Sequence, residues 1–481
     1  MKVLFLNPPF LPRFSREQRS PAVTKSGTLY YPIWLATAAG VTEDAGFDVD
    51  LIDAPARGYD RDFIYGLARK GGYDLVVLDT STPSIYNDVE IGSRIKEMLP
   101  SSFVVLVGPH VSALPGESLK LEPAIDAVAR REYDHTILEL ARTLSGGRDL
   151  SAVNGLSFRR NGDIVHNPAR PFLGDLDSLP FVSKVYKRHL NYRDYFYSHS
   201  PYPILTIAAS RGCPFKCTFC LYPNTFSGHN YRTRSPGNVV EEIAYINREF
   251  PGVKTIMFED ETLTLDEKRV QRICDLMVER GLARNWSGNS RIDISWETLV
   301  KMKRSGCGLL CAGFESLDQR VIDGIKKRTD VETMKRFLIN TKKLGIHVNA
   351  CFMVGNRGET LDGIRKTVDF IKKYNPYTAQ FIPMMVYPGT PDYEWAKEDG
   401  YLQTEDFRQW CTEEGLFNST ISRPGLSAAD LTAFCNYAKK RYYLRPVYLW
   451  MKVRENLRHP GEIRRNFRAT RLFLKNLVKG Y

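Results

Sequence analysis

Along the first 145 positions short apolar runs alternate with stretches of helical spacing, and Gly, Pro, Asn or Asp punctuates the joins. Residues 2–6 form one such run and end at Asn7-Pro8-Pro9, which predicts a buried strand and a turn. Residues 32–41 have helical spacing, closed near Gly46, and 49–53 predicts the next strand. Helix 60–70, strand 74–79, helix 86–98 and strand 103–107 follow, then helices at 116–121 and 134–144 around a short strand at 127–128. Strands alternating with helices predict a doubly wound parallel sheet, with ligands at the carboxyl ends of its strands. The loops 7–10, 80–84 and 108–110 fall at such ends.

Residues 146–200 are rich in Gly, Pro, Asn and Asp. Within them 156–165 predicts a small hairpin on an Asn-Gly turn, and the segment reads as a linker. From 204 the alternation resumes. Strands are predicted at 204–210, 254–258, 286–294, 309–314, 348–354 and 379–383. Helices are predicted after Ser235-Pro236 and at 266–280, 299–305, 330–344 and 361–371. Six such repeats suit an open barrel with its chemistry at the strands' carboxyl ends. The fold expected is α/β throughout. A Rossmann-like domain (1–145) and a linker (146–200) precede a partial six-repeat barrel (201–425), and a helical extension (426–481) follows.

With 43% apolar and 25% charged residues the composition is that of a folded soluble protein, and no apolar run approaches the ~20 residues of a membrane span. Residues 1–6 are too short for a signal-peptide core, so a cytoplasmic protein is expected. The net charge of +12 is lopsided. Residues 438–481 hold thirteen Lys and Arg against Glu455 and Glu462, that is 13 − 2 = +11. This tail also carries Tyr442, Tyr443, Tyr448, Trp450, Phe467 and Phe473. It suits peripheral contact with an anionic leaflet or a basic helical pair packed on the barrel; nucleic acid is a lesser option, since no RNA-binding module is evident.

All nine cysteines lie after residue 212, and three stand in CxxxCxxC spacing as Cys213, Cys217 and Cys220. Three thiolates on one loop suit three corners of a cubane 4Fe–4S cluster and leave the fourth iron open. A zinc site would need a fourth ligand, for which His229 is near. A disulfide with a spare thiol suits a secreted chain, which the rest of the sequence does not resemble.

This motif, with the aromatic Phe219 before its last cysteine, resembles the radical S-adenosylmethionine (SAM) superfamily. The resemblance implies that the open iron chelates SAM and that one electron cleaves it to a 5′-deoxyadenosyl radical. Later turns extend it. Phe258-Glu-Asp-Glu-Thr262 resembles the turn that receives the SAM amino group, which implicates Asp260 and Glu261. Gly313-Phe-Glu-Ser316 resembles a GxES turn and implicates Glu315. Gly355-Asn-Arg-Gly-Glu-Thr360 resembles the turn whose backbone lies along the adenine; it implicates Gly355 but departs from the family at Asn356 and Arg357. Tyr387-Pro-Gly-Thr-Pro391 matches a turn of cobalamin-type members.

The amino-terminal pattern resembles the cobalamin-binding domain of that branch, without the DxHxxG lower-ligand signature. Thr80, Ser81, Gly108 and His110 are then the candidate cobalamin contacts. His110 is either a ligand or a loop histidine paired within the protein, and the domain either binds a corrinoid or only shapes the active-site entrance. Val107-Gly-Pro-His110, Arg131-Glu-Tyr-Asp134, residues 228–235 and Tyr443-Leu-Arg-Pro446 are similar to a radical SAM protein of hopanoid biosynthesis, thought to form a cyclitol ether on a polyol lipid. The expected function is therefore hydrogen abstraction from a lipid or lipid headgroup that drives rearrangement or cyclisation, with a flavodoxin or ferredoxin as reductant. The alternatives are methyl transfer from methylcobalamin to an sp3 carbon and a non-enzymatic iron–sulfur redox sensor.

Overall fold

The structure is a computed structural model that describes residues 1–458 together with residues 467 and 471. Strands β1 (Lys2–Asn7), β2 (Asp48–Asp53), β3 (Leu75–Asp79), β4 (Phe103–Val107) and β5 (Ala127–Ala129) form a parallel sheet in the order β2-β1-β3-β4-β5. Every residue of β3 is buried, because helices cover both faces. Ile33–Asp44 and Asp134–Ser145 lie on one face, Arg61–Gly71 and Ile85–Met98 on the other. The strand order reverses direction between β1 and β3, which opens the crevice where doubly wound sheets bind ligands.

The segment 146–200 is more than a linker. Its hairpin, β6 (Leu156–Arg160) and β7 (Asp163–His166), pairs antiparallel with β5 and extends the first sheet to seven strands. Asn161 and Gly162 take the left-handed conformation a two-residue turn requires. A helix, Val182–His189, then packs on Ile33–Asp44 through Val185 and Tyr186. At eight residues it was too short to show a period.

The second sheet holds β8 (Ile204–Ile207), β11 (Thr255–Phe258), β12 (Trp286–Ser290), β13 (Cys307–Glu315), β14 (His347–Val354) and β15 (Thr378–Pro383), all parallel, in the order β15-β14-β13-β12-β11-β8. Between β8 and β11 a two-stranded piece pairs β9 (Ser210–Arg211) with β10 (Arg232–Thr233). The third barrel strand stops at Ser290 rather than 294, because Arg291 turns out to bond Asp293 and the carbonyls of Lys327 and Arg328.

The helix Ala428–Tyr443 opens with a capping box between Ser427 and Asp430. It covers the edge strand β15: the Tyr443 hydroxyl accepts from the Ala379 N–H at 3.0 Å and donates to the Ala379 carbonyl at 2.8 Å. Pro446–Arg458 is the last described helix. The rest of the basic tail, apart from Phe467 and Arg471, lies outside the described residues.

Candidate active site

The cysteine loop leaves β9 through Gly212, whose φ is +83°; a Cβ there would stand 2.1 Å from the Asn230 carbonyl oxygen, so only glycine fits. The loop is pinned at each cysteine. Cys213 N–H donates to the Gly228 carbonyl at 3.2 Å, Thr218 N–H to the Ile325 carbonyl at 3.2 Å, and Cys220 N–H to the Cys217 carbonyl at 3.2 Å. The Thr218 hydroxyl reaches Asp392 at 3.0 Å. None of the three cysteines is in a disulfide, and burial pushes Cys220 up to about 12. Among the described residues no three His, Cys, Asp or Glu groups converge as a single-ion site, and the His229 ring lies 3.1 Å from the Cys213 carbonyl. His229 thus has a backbone partner on the cysteine loop. Three cysteines that each take their own iron of a 4Fe–4S cluster need no such convergence.

A buried ion-pair clasp fixes this loop to the first domain. Arg211, two residues before Cys213, forks onto Asp134 at 2.6 and 3.2 Å and lies 4.6 Å from the Trp34 ring centre. Glu132 accepts from Arg232 at 2.6 and 2.8 Å and stands 3.5 Å from Arg211. The four side chains are no more than 10% exposed. Arg131 to Asp134 stood out in the sequence, but their pairing across domains did not.

Of the acids after β11, Asp260 is not free to take an ammonium. Its carboxylate accepts from Ala209 N–H at 3.1 Å and from the Ser210 hydroxyl, and it is fully buried. It ties the cysteine segment to β11 instead. The open positions are next to it: Glu259 Oε2 and Glu261 Oε1 are buried without partners. Glu259 accepts from Asn289 at 3.1 Å, and burial raises it to about 7. Arg19, from the first domain, donates to the Asp260 carbonyl at 2.5 Å and brings a cation beside these acids. The sequence marks the acidic turn but does not single out Glu259 within it, and it gives no sign of Arg19, which sits in a long loop without periodicity.

Glu315 adopts φ of +62° and pairs with Lys327 at 2.8 Å, and Lys327 lies 5.7 Å from the Phe219 ring centre. Gly355 starts a turn closed by Glu359, which accepts from Gly355 and Asn356 N–H at 2.8 and 3.1 Å and from Ser316 at 2.8 Å. Burial raises Glu359 to about 7. Gly355 has φ of +107°, and a Cβ there would stand 2.8 Å from the Leu431 side chain, so the helix Ala428–Tyr443 packs directly on this turn.

In the first domain the candidate cobalamin residues bond within the protein. Thr80 donates to the Val107 carbonyl at 2.7 Å, and Ser81 pairs with Ser84 at 2.7 Å. Gly108, at φ +119°, brings its loop against Thr80. His110 Nδ1 lies 3.1 Å from the Thr82 hydroxyl, the ring packs edge-on against Phe407, and burial lowers it to about 3. It is a paired loop histidine here. The fit to a corrinoid rests on the β1/β3 crevice and on Asp79 at its lip, whose Oδ2 is buried without a partner. Glu17, close to Asp79, caps the helix Ile33–Asp44 through Trp34 and Leu35 N–H at 2.8 and 2.9 Å, and its carbonyl accepts from Tyr222 at 2.7 Å. The same loop thus touches both domains.

Between these loops four groups are half-buried rather than sealed in the core. They are Tyr30, Glu259, Cys311 and Cys351. On β13 the alternation of half-buried Cys311, Gly313 and Glu315 with buried Leu310, Ala312 and Phe314 marks the inward face. His199 stands 3.7 Å from Cys311, and Cys351 donates to Gln380 at 3.5 Å.

Comparison with known proteins gives residues 207–371 as a match to the radical SAM superfamily and residues 19–141 as a match to the B12 binding domain. The chain is 30% identical over 96% of both lengths to an uncharacterised methyltransferase of Pyrococcus horikoshii. It is 28% identical to an anaerobic magnesium-protoporphyrin IX monomethyl ester cyclase of Rubrivivax gelatinosus, over 81% of this chain and 68% of that one. Its fold is similar to that of a radical SAM methyltransferase from Kitasatospora setae solved with tryptophan and a SAM analogue, at TM-score 0.71, 18% identity and coverage of 92% and 90%.

Proposed function

The chain belongs to the B12-binding branch of the radical SAM superfamily, and on that premise we propose that it is a methyltransferase acting on an unactivated sp3 carbon. The cofactors of this enzyme are a 4Fe–4S cluster, SAM and cobalamin. When bound, the cluster supplies the electron that cleaves SAM and cobalamin carries the methyl group. The observation that carries methyl transfer is likeness along nearly the whole chain to a methyltransferase, where the cyclase relative is matched over only 68% of its length. Cyclisation, the first expectation from the sequence, stays as the second reading because that cyclase is also 28% identical. A non-enzymatic sensor is set aside.

The residues take these roles in the proposal. Cys213, Cys217 and Cys220 hold the cluster on a loop that the Arg211–Asp134 clasp orients toward the first domain. Glu259 and Glu261, each with an unpartnered oxygen, receive the SAM ammonium, and Arg19 balances their charge. Phe219 and the Glu315–Lys327 pair wall the same pocket, and Glu359 shapes the Gly355 turn for backbone contact. Thr80, Ser81 and Gly108 line the crevice that takes the corrinoid, and His110 is no ligand to it. The substrate proposed is an amphiphilic lipid or its headgroup, on the strength of the hopanoid-type motifs and the basic, aromatic tail; a flavodoxin or ferredoxin serves as reductant. The test is an anaerobic assay with a bacterial polyterpenoid lipid extract and SAM carrying a deuterated methyl group. Methyl transfer predicts a lipid product in which the labelled methyl replaces a hydrogen. An unlabelled isomer or cyclised product supports the second reading.

A further inference from the structure

The outward face of the last described helix is apolar, and it is exposed among the described residues. Its inward face is settled: Tyr448 packs against Tyr442 and Tyr443, Lys452 Nζ lies 3.6 Å from the Tyr377 ring centre, and the Tyr377 hydroxyl donates to Glu455 at 2.6 Å. That packing leaves Val447 65%, Leu449 51%, Trp450 66%, Val453 47% and Leu457 76% exposed. At 3.6 residues per turn these five side chains fall within an arc of about 160°. Arg454 rises within the arc. On the preceding helix Tyr437 and Arg441 are also exposed. The only acid between Pro446 and Arg458, Glu455, is turned inward.

Exposed apolar groups in such number mark a contact surface rather than ordinary scatter. The charge says which kind. Thirteen basic residues stand against two acids over 438–481, so the segment complements an anionic partner. A Trp at the crest of an apolar arc, with Arg beside it, matches the headgroup region of a bilayer, where an amphipathic helix lies in the plane of the surface. No described helix is long and apolar enough to cross a membrane, so the contact is made from one side. We propose that the Val447–Trp450–Leu457 face of Pro446–Arg458 docks the enzyme on an anionic lipid surface. The face stands on its own geometry and holds whether the reaction is methylation or cyclisation.

The experiment is co-sedimentation of the intact chain with vesicles of phosphatidylglycerol and phosphatidylcholine in equal parts, and with phosphatidylcholine alone. Neither SAM nor substrate is added. The anionic vesicles should bind the protein and release it as salt is raised. Trp450→Glu and Leu457→Glu should each weaken binding about tenfold or more, since each sets a carboxylate in the apolar layer. Both positions are exposed, so circular dichroism and iron content should match the parent. Equal binding to both vesicle types, undiminished binding by Trp450→Glu, or no binding at all overturns the proposal. A dimer in sedimentation equilibrium that Trp450→Glu breaks, without vesicle binding, assigns the face to a second copy of the chain instead.

Discussion

Replacing Glu132 with Gln should destabilise the enzyme far more than the loss of one charge suggests. The Gln keeps the shape, so the change is electrostatic. Glu132 accepts from Arg232 at 2.6 and 2.8 Å and stands 3.5 Å from Arg211, while Asp134 takes the other side of Arg211. Two cations thus face two anions, all at 10% exposure or less. Removing one partner of a buried pair costs about 3–5 kcal/mol, because the remaining charge stays desolvated. Here the Arg232 guanidinium keeps the Leu173 and Ser227 carbonyls as acceptors, which places the expected loss near the lower value, about 3 kcal/mol. The assay is urea unfolding followed by circular dichroism. Glu43→Gln is the control: its pair with Arg188 is 26% and 40% exposed and should be worth less than about 1 kcal/mol. Glu132→Gln combined with Arg232→Met should recover part of the loss, since it leaves no orphaned charge. A loss below about 1 kcal/mol in Glu132→Gln would refute the claim that this clasp is a desolvated, mutually dependent unit.

Four further outcomes are expected. Gly212→Ala, which forces a Cβ to 2.1 Å from the Asn230 oxygen at φ +83°, should lose iron on anaerobic reconstitution, and full iron content would show that the loop relaxes. SAM affinity should rise with pH through about 7 as Glu259 ionises and then level off; isothermal titration of Glu259→Gln should find the slope gone, and Asp260→Asn should instead reduce stability. Glu359 is raised to about 7 in the fold from 4.5, so the folded state binds more protons and stability should fall from pH 5 to 7; Glu359→Gln should flatten that fall in urea titrations. Electron paramagnetic resonance of the cob(II)alamin form should show no nitrogen splitting lost on His110→Ala, because His110 is held by Thr82 under Phe407.

Both sheets were legible because buried parallel strands are runs of apolar residues, and ten of the fifteen strands among the described residues coincide with such runs closely. The cysteine motif was legible because its spacing is local. What the sequence hid was contact across domains. Arg19 and Glu17 show no pattern along the chain, Asp134 belongs to a motif that does not name its partner, and the roles of all three come from partners up to 241 residues away. The acid turn shows the same limit at short range. The sequence shows three carboxylates after β11, but only the fold shows Asp260 turned to the Ala209 amide while Glu259 and Glu261 keep open oxygens. The hairpin 156–166 read as linker because its pairing strand, β5, is only three residues long.

The most direct test needs no substrate. The reconstituted enzyme, loaded with hydroxocobalamin, is reduced anaerobically and given SAM with a deuterated methyl group, and the extracted corrinoid is weighed by mass spectrometry. The account predicts methylcobalamin that carries the label, with S-adenosylhomocysteine formed alongside. A corrinoid that stays unmethylated while 5′-deoxyadenosine accumulates would contradict methyl transfer and leave a radical SAM enzyme of the cyclase kind.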